Sequence, residues 1–237
     1  MKIGIMQPYF FPYLGYFQLI DSVDLFVLHD DVQFIKSGWV HRNRYLRDGK
    51  PVWFGLSLAK ASSFALINER HIAEDFDPQS MIRKLDEAYR RAARRQYVID
   101  MVSEVVSKNE KSLAAINERG LRAICGVVNI TTPIISSSSL QLPSCLTGQQ
   151  RVIEIVRRCQ GTRYINPIGG LSLYSEAEFA KNGIELSFHR MLPCEYNQGV
   201  TVFEPSLSIV DVLMHVEPAQ MPELLQSKQI ESFSFYQ

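Results

Sequence analysis

Residues 1–34 read MKIGIMQPYFFPYLGYFQLIDSVDLFVLHDDVQF, and this stretch decides the fold. Lys2 to Met6 is a short apolar run of the kind buried on both faces in a parallel sheet. A second run, Asp24 to Leu28, ends in His29-Asp30-Asp31. Between them Leu14–Ile20 predicts a helix about as short as a crossover allows. The connection that leads into it is unusual. Loops between elements are ordinarily short and polar. Here Gln7 is followed by Tyr9, Phe10, Phe11 and Tyr13, stiffened by Pro8 and Pro12. A loop of rings and prolines at the C-terminal end of a first strand reads as the rigid lip of a cleft.

Further along, Asp31–Lys36, Trp39–Tyr45 and Val52–Leu58 alternate imperfectly, with turn signals at Gly38 and Asp48-Gly49. They predict an antiparallel insertion after the second strand. Pro78 to about Leu121 is helical in period, and a helix from Ser112 is expected to stop at Gly126. Its basic run, Arg90 to Arg95, reads as a solvated face or as a phosphate-facing patch. A second α/β portion follows. Thr132–Ser137, Arg163–Asn166 and Ile184–Phe188 predict strands, the last of these being the final strand. Gln149–Cys159, Ser175–Asn182 (stopped by Gly183) and Ser208–His215, the final helix, predict helices. This alternation predicts an α/β protein: an open, mainly parallel, Rossmann-like sheet flanked by helices, with an antiparallel insertion and a helical middle segment. Residues 1–237 are expected to form one domain, with the helical insertion at about 78–124. In such sheets ligands bind at the C-terminal ends of the strands. Those ends are Gln7–Tyr13, His29–Asp31, Ser136–Thr147, Pro167–Tyr174 and His189–Gln198.

Composition narrows the function. The chain has 237 residues, 46% of them hydrophobic, enough for a sizeable core. Lys and Arg balance Asp and Glu at a formal net charge of zero, which argues against nucleic acid as a partner. The four cysteines show no CxxC spacing and read as reduced thiols. No signal peptide and no membrane-length apolar run is visible, so the expectation is a soluble, cytoplasmic protein without a membrane partner. There is no Walker pattern and no G-x-G-x-x-G, and Asp30-Asp31 lacks an evident third ligand, so neither ATP nor a metal is expected. The oligomeric state is left open.

Two resemblances rest on quoted stretches. Strand, proline-stiffened loop, glycine, helix and an acid-ended second strand resemble the nucleotidylyltransferase superfamily. Its His-x-Gly-His signature stands here as Tyr13-Leu14-Gly15-Tyr16, without either histidine. The cleft is therefore expected to bind a phosphate-bearing compound without breaking its phosphate. The closer resemblance is to the WbqC-like family. It is carried by MQPYFFPYLGYF (6–17), DDVQFIKSGWVHRNR (30–44), RYINPIGG (163–170) with Tyr174, EYNQ (195–198) and FEPSLSIVDVLMH (203–215), and it covers essentially the whole chain. It implies an N-acyl or aminoacyl transferase acting on a nucleotide-linked amino sugar in bacterial surface polysaccharide (O-antigen, lipopolysaccharide) biosynthesis. No tightly bound cofactor is implied. The acyl donor would be carried on phosphopantetheine, with an acyl carrier protein as partner. Two alternatives stand beside it: a nucleotidylyltransferase-like enzyme, and a non-catalytic module that binds a nucleotide sugar or carrier.

Amide formation needs a neutral amine, a polarised thioester carbonyl and a stabilised leaving thiolate. Asp31 and His29, at the end of the second strand, are the candidate proton acceptors. Their plain reading is a turn cap and a packed strand residue. Gln7 and Tyr9 at the mouth of the first strand, with Gln33, are placed to orient a sugar or amide. Lys36, Arg42 and Arg44, with Trp39 and Asn43, form a ribbon suited to a diphosphate or pantetheine arm, since Arg forks bind phosphate and rings stack on bases; otherwise they form an ordinary exposed hairpin. Tyr196 and Gln198 follow the last predicted strand and could close over a ligand. Cys145 is the one cysteine considered as a nucleophile, and no partner base is evident for it. Asp211, inside an apolar helix, must be paired if buried.

Overall fold

Strand β1 (Lys2–Met6) lies at the centre of a six-stranded sheet, because its side chains are apolar on both faces. A computed structural model describes residues 1–107 and 109–233. After β1 come α1 (Leu14–Asp21), β2 (Leu25–Leu28) and the hairpin β3 (Arg42–Arg47) and β4 (Lys50–Gly55). The helical middle follows as α2 (Pro78–Ala88), α3 (Arg95–Ser107) and α4 (Leu113–Val127). The second half runs β5 (Ile134–Ser136), α5 (Gly148–Arg158), β6 (Arg163–Pro167), α6 (Glu176–Lys181), β7 (Glu185–Met191), α7 (Ile209–His215), α8 (Met221–Gln226) and β8 (Lys228–Ser232).

The sheet order is β5-β2-β1-β6-β7-β8. The first five strands are parallel and β8 is antiparallel at the edge. The order therefore reverses between β1 and β6, the crevice where such sheets take ligands. Two apolar clusters cover the sheet. One takes Phe26, Leu28 and Ile165 with α1, α2, α3, α4, α7 and α8. The other takes Ile3, Ile5, Val27, Tyr164 and Phe188 with α5 and Phe179. The helical middle thus packs into the same core as the first half of the sheet.

Three expectations change. Asp31–Lys36 is not a strand. The segment makes one isolated bridge, Gln33 with Leu66, and its other backbone bonds are single ones, Phe34 N–H to Ala65 O, Ile67 N–H to Val32 O and Gly38 N–H to Ile35 O. Its imperfect alternation offers no continuous apolar face to pair on. The helix from Ser112 runs through Gly126 to Val127, and Asn129 takes the left-handed conformation that ends it (φ 59°). β7 and α7 are not the last strand and helix. α8 and β8 follow, and α8 packs on α1, where Gln18 Nε2 donates to Leu224 O and Ser227 O. The Asp48-Gly49 turn forms as expected, with both residues at positive φ. Among the described residues no helix is long and apolar enough to cross a membrane.

Candidate binding and catalytic site

The lip, residues 7–13, is held through its backbone. Gln7 O accepts from the Tyr16 hydroxyl (2.8 Å). Pro8 O accepts from Asn117 Nδ2 (2.8 Å), which also donates to Val40 O. Phe10 O and Phe11 O accept from Asn43 Nδ2 at 3.2 and 2.7 Å. Phe11 O also accepts from the Ser208 hydroxyl. Pro12 O accepts from the Ile209 N–H. Phe11 needs this support, since it sits at φ 41°, a strained conformation for a bulky side chain. Its ring and that of Phe10 pack on Phe54 of the hairpin.

Beneath the lip, at the point of strand reversal, is a cavity of about 630 Å³, within the usual range for small-molecule sites. Gln7 and Tyr9 come to it from the lip, His29 from the end of β2, and Asn166 with Ile168–Gly170 from the end of β6. His189 comes from β7, and Trp39, Asn43 and Arg44 from the hairpin side. The β6 wall is tightly built. Asn166 Oδ1 accepts from the Tyr164 hydroxyl and its Nδ2 donates to Pro167 O. Gly170 lies so close that a Cβ there would collide with the Asn166 amide.

Two imidazoles face this space. Burial pushes both His29 and His189 down to about 4, so both are neutral near pH 7. For His29 the Arg151 charge adds to burial, while Asp31 and Asp30 act against it. The Nε2 of each ring is buried without a hydrogen-bond partner. Buried polar atoms are normally satisfied, so two orphans in the wall of one cavity mark it as a place where a ligand's polar groups fit.

The structure brings together six of the residues singled out from sequence: Gln7, Tyr9, His29, Trp39, Asn43 and Arg44. It places six elsewhere. Asp31 is bonded to Ser137 and ion-paired with Arg151, which is itself buried. Beside it, Asp30 is held by the Ser138 N–H and by the Ser137 and Ser138 hydroxyls. The Asp pair therefore ties the end of β2 to the turn after β5. Gln33 is exposed and donates to Ser63 O. Lys36 is exposed. Arg42 donates to Ser37 O and lies over the Trp53 ring at 4.3 Å. Tyr196 and Gln198 both donate to the fully buried Asp211, the first at 2.6 Å and the second at 3.2 Å, and Tyr89 donates to its other oxygen at 2.6 Å. Asp211 is thus paired without any cation, by two phenols and an amide.

Sequence reasoning passed over Asn166 and His189, whereas Arg44, expected with Arg42 in the ribbon, does line the cavity. The signal for the first two is the one that selected His29: a polar side chain at the C-terminal end of a parallel strand. Arg44 shares the outer face of β3 with Arg42, and its guanidinium approaches the Trp39 ring (5.8 Å), which in turn lies 5.2 Å from the Trp53 ring.

A mainly parallel sheet with a cavity at its strand-order reversal defines an α/β protein with a candidate small-molecule site at its switch point. The particular family follows from comparison: the chain belongs to the WbqC-like protein family, whose model matches residues 7–223. It is also similar to "Uncharacterized protein Rv1507c" of Mycobacterium tuberculosis (strain ATCC 25618 / H37Rv), at 27% identity over 228 residues, 95% of this chain and 97% of the relative. No solved structure matches the chain.

Proposed function

We propose that the chain is an N-acyl or N-aminoacyl transferase that acylates the amine of a nucleotide-linked sugar, with a thioester as donor. The observation that carries the reading is the neutral His29 imidazole in the wall of the switch-point cavity. As the amine attacks the thioester carbonyl, the C–N bond forms and the C–S bond breaks. His29 takes the amine proton and returns it to the departing thiolate, so no proton is gained or lost overall. The proton role goes to His29 rather than Asp31, whose carboxylate is committed to Ser137 and Arg151. Arg44 and Trp39 at the hairpin wall suit a phosphate and a base, the first by charge-assisted hydrogen bonds and the second by stacking. Gln7 and Asn166 supply neutral hydrogen bonds for a sugar. The donor would arrive on the phosphopantetheine of an acyl carrier protein. The setting would be cytoplasmic assembly of bacterial surface polysaccharide. Nucleotidyl transfer is less well supported, because Tyr16, at the second histidine position of that signature, is buried and bonded to Gln7 O.

The test is release of free thiol from acyl-pantetheines in the presence of a panel of nucleotide-linked amino sugars. His29→Asn is expected to lower turnover by about 10²–10⁴ while the nucleotide sugar still quenches the Trp39 fluorescence. Pyrophosphate release from a nucleoside triphosphate, or no thiol release with any sugar of the panel, would overturn the assignment.

A further inference from the structure

A second cavity of about 410 Å³ adjoins the first and shares Tyr13, Met191 and Ser206 with it. It lies under the segment that joins β7 to α7. Its remaining walls are mainly Leu14, Leu192, Cys194, Phe203, Leu207 and Val212. Tyr196 also lines it, but the Tyr196 hydroxyl is already given to Asp211 at 2.6 Å. Glu195 is exposed. The chamber therefore offers a ligand mainly aliphatic carbon, rings and sulfur, its polar groups being Tyr13 and Ser206 at the junction and Glu195 at the exposed rim. Its neighbour sets polar groups into a partly apolar wall: two orphaned imidazole nitrogens, amides and the Arg44 guanidinium, the last ion-paired with Glu204 at 3.6 Å. Apolar chambers are energetically suited to apolar occupants, and an open one beside a polar site is completed by a molecule with both characters.

We propose that this second chamber seats the apolar chain of the transferred acyl group, so that the preferred donor carries a chain longer than acetyl. The inference rests on the transferase reading for the word acyl, and on the adjoining geometry alone for the apolar chain. With the chain in the second chamber, the carbonyl falls at the junction beside Tyr13, Met191 and Ser206, and the amine comes from the His29 side. Ser206, at φ 57°, is the strained residue of this junction, as Phe11 is of the lip.

The experiment is a binding series on the full chain with acetyl-, butyryl-, hexanoyl- and octanoyl-pantetheine, read by calorimetry and by Trp fluorescence. Burial of each methylene is expected to tighten binding by about fourfold until the chamber is full. Cys194→Phe, which narrows the chamber, should flatten the long-chain end of the series relative to acetyl-pantetheine. A measurement that needs no variant guards against misfolding: hexanoyl-pantetheine should slow iodoacetamide capture of Cys194, followed by mass spectrometry, and acetyl-pantetheine should not. A flat series in the wild type, or an equally steep one after Cys194→Phe, overturns the chamber. The two readings fail separately. Thiol release without dependence on chain length removes the chamber and keeps the transferase. Chain-dependent binding without thiol release does the reverse.

Discussion

Replacing Asp211 by Ala should destabilise the fold severely, and replacing it by Asn only mildly. Asp211 is fully buried in α7 and takes three donors: Tyr89 and Tyr196 at 2.6 Å and Gln198 at 3.2 Å. The Tyr89 oxygen in turn accepts from the Leu46 N–H at 3.1 Å, which ties the network to the hairpin. Alanine orphans the Tyr89 and Tyr196 hydroxyls, each costing about 1–3 kcal/mol, while Gln198 Nε2 keeps its bond to Glu204 O at 2.9 Å. Relief of a buried charge and re-solvation of the half-buried Tyr196 offset part of that sum. The net expectation is a loss of about 3–5 kcal/mol, or roughly 2–4 °C of Tm per kcal/mol for a chain of this size. Asparagine keeps the shape and one acceptor oxygen. One tyrosine continues to donate and the other can turn to accept, at a cost of about 1–2 kcal/mol. The assay is urea unfolding followed by the fluorescence of Trp53, in β4 of the hairpin, and Trp39, packed against it. A loss below about 1 kcal/mol for Asp211→Ala, or equal losses for the two variants, would refute the view that the two tyrosine hydroxyls depend on this one carboxylate.

Other expectations are more local. Folded His189 stays neutral down to about 4, against 6.5 in the unfolded chain. The unfolded state therefore binds the extra proton, and stability present above pH 6.5 is lost as pH falls, by about 2 kcal/mol for this group at pH 5. His189→Gln should flatten that part of the urea-midpoint profile, and a wild type with no slope from pH 7 to 5 would contradict the assignment. Arg151→Met strands the Asp31 carboxylate and should cost about 3–5 kcal/mol, much of it recovered by adding Asp31→Asn; full additivity in this cycle would show that the pair is not coupled. Gly170→Ala forces the Asn166 amide aside and should cost about 1–3 kcal/mol, with weaker ligand binding to match. Unchanged stability and unchanged binding would mean that the β6 wall yields freely.

Strong periodicity made the parallel core legible. β1, α1, β2, α5, β6 and α6 stand within a residue or two of their sequence expectations, because each is a continuous apolar run or a clean helical face ended by a strong turn residue, such as Gly183 at φ 69°. β8 was illegible for a physical reason. It is an edge strand of sequence KQIES, half exposed, and its pairing with β7 comes from position rather than composition. The site divides in the same way. His29 could be found from its place at a strand end. The commitment of Asp31 to Arg151 could not, since the two lie 120 residues apart. Nor could that of Tyr196 and Gln198 to Asp211, because the residue that claims them sits on a helix that packs there only in the finished fold.

The way the lip is fastened has a consequence for how the chain is made. Residues 7–13 leave the ribosome before the residues that fasten them, for their carbonyls are held by Asn43, Asn117 and Ser208. The last of these lies 197 residues downstream of the carbonyl it holds. Domains fold as units during synthesis, and here the unit cannot close its binding wall until α7 has emerged. A nascent chain shorter than that has a first strand with no cleft. Any molecule that binds the cleft can therefore engage only chains synthesised past α7, and stalled chains cut before Ser208 should show no ligand-induced change in Trp39 fluorescence.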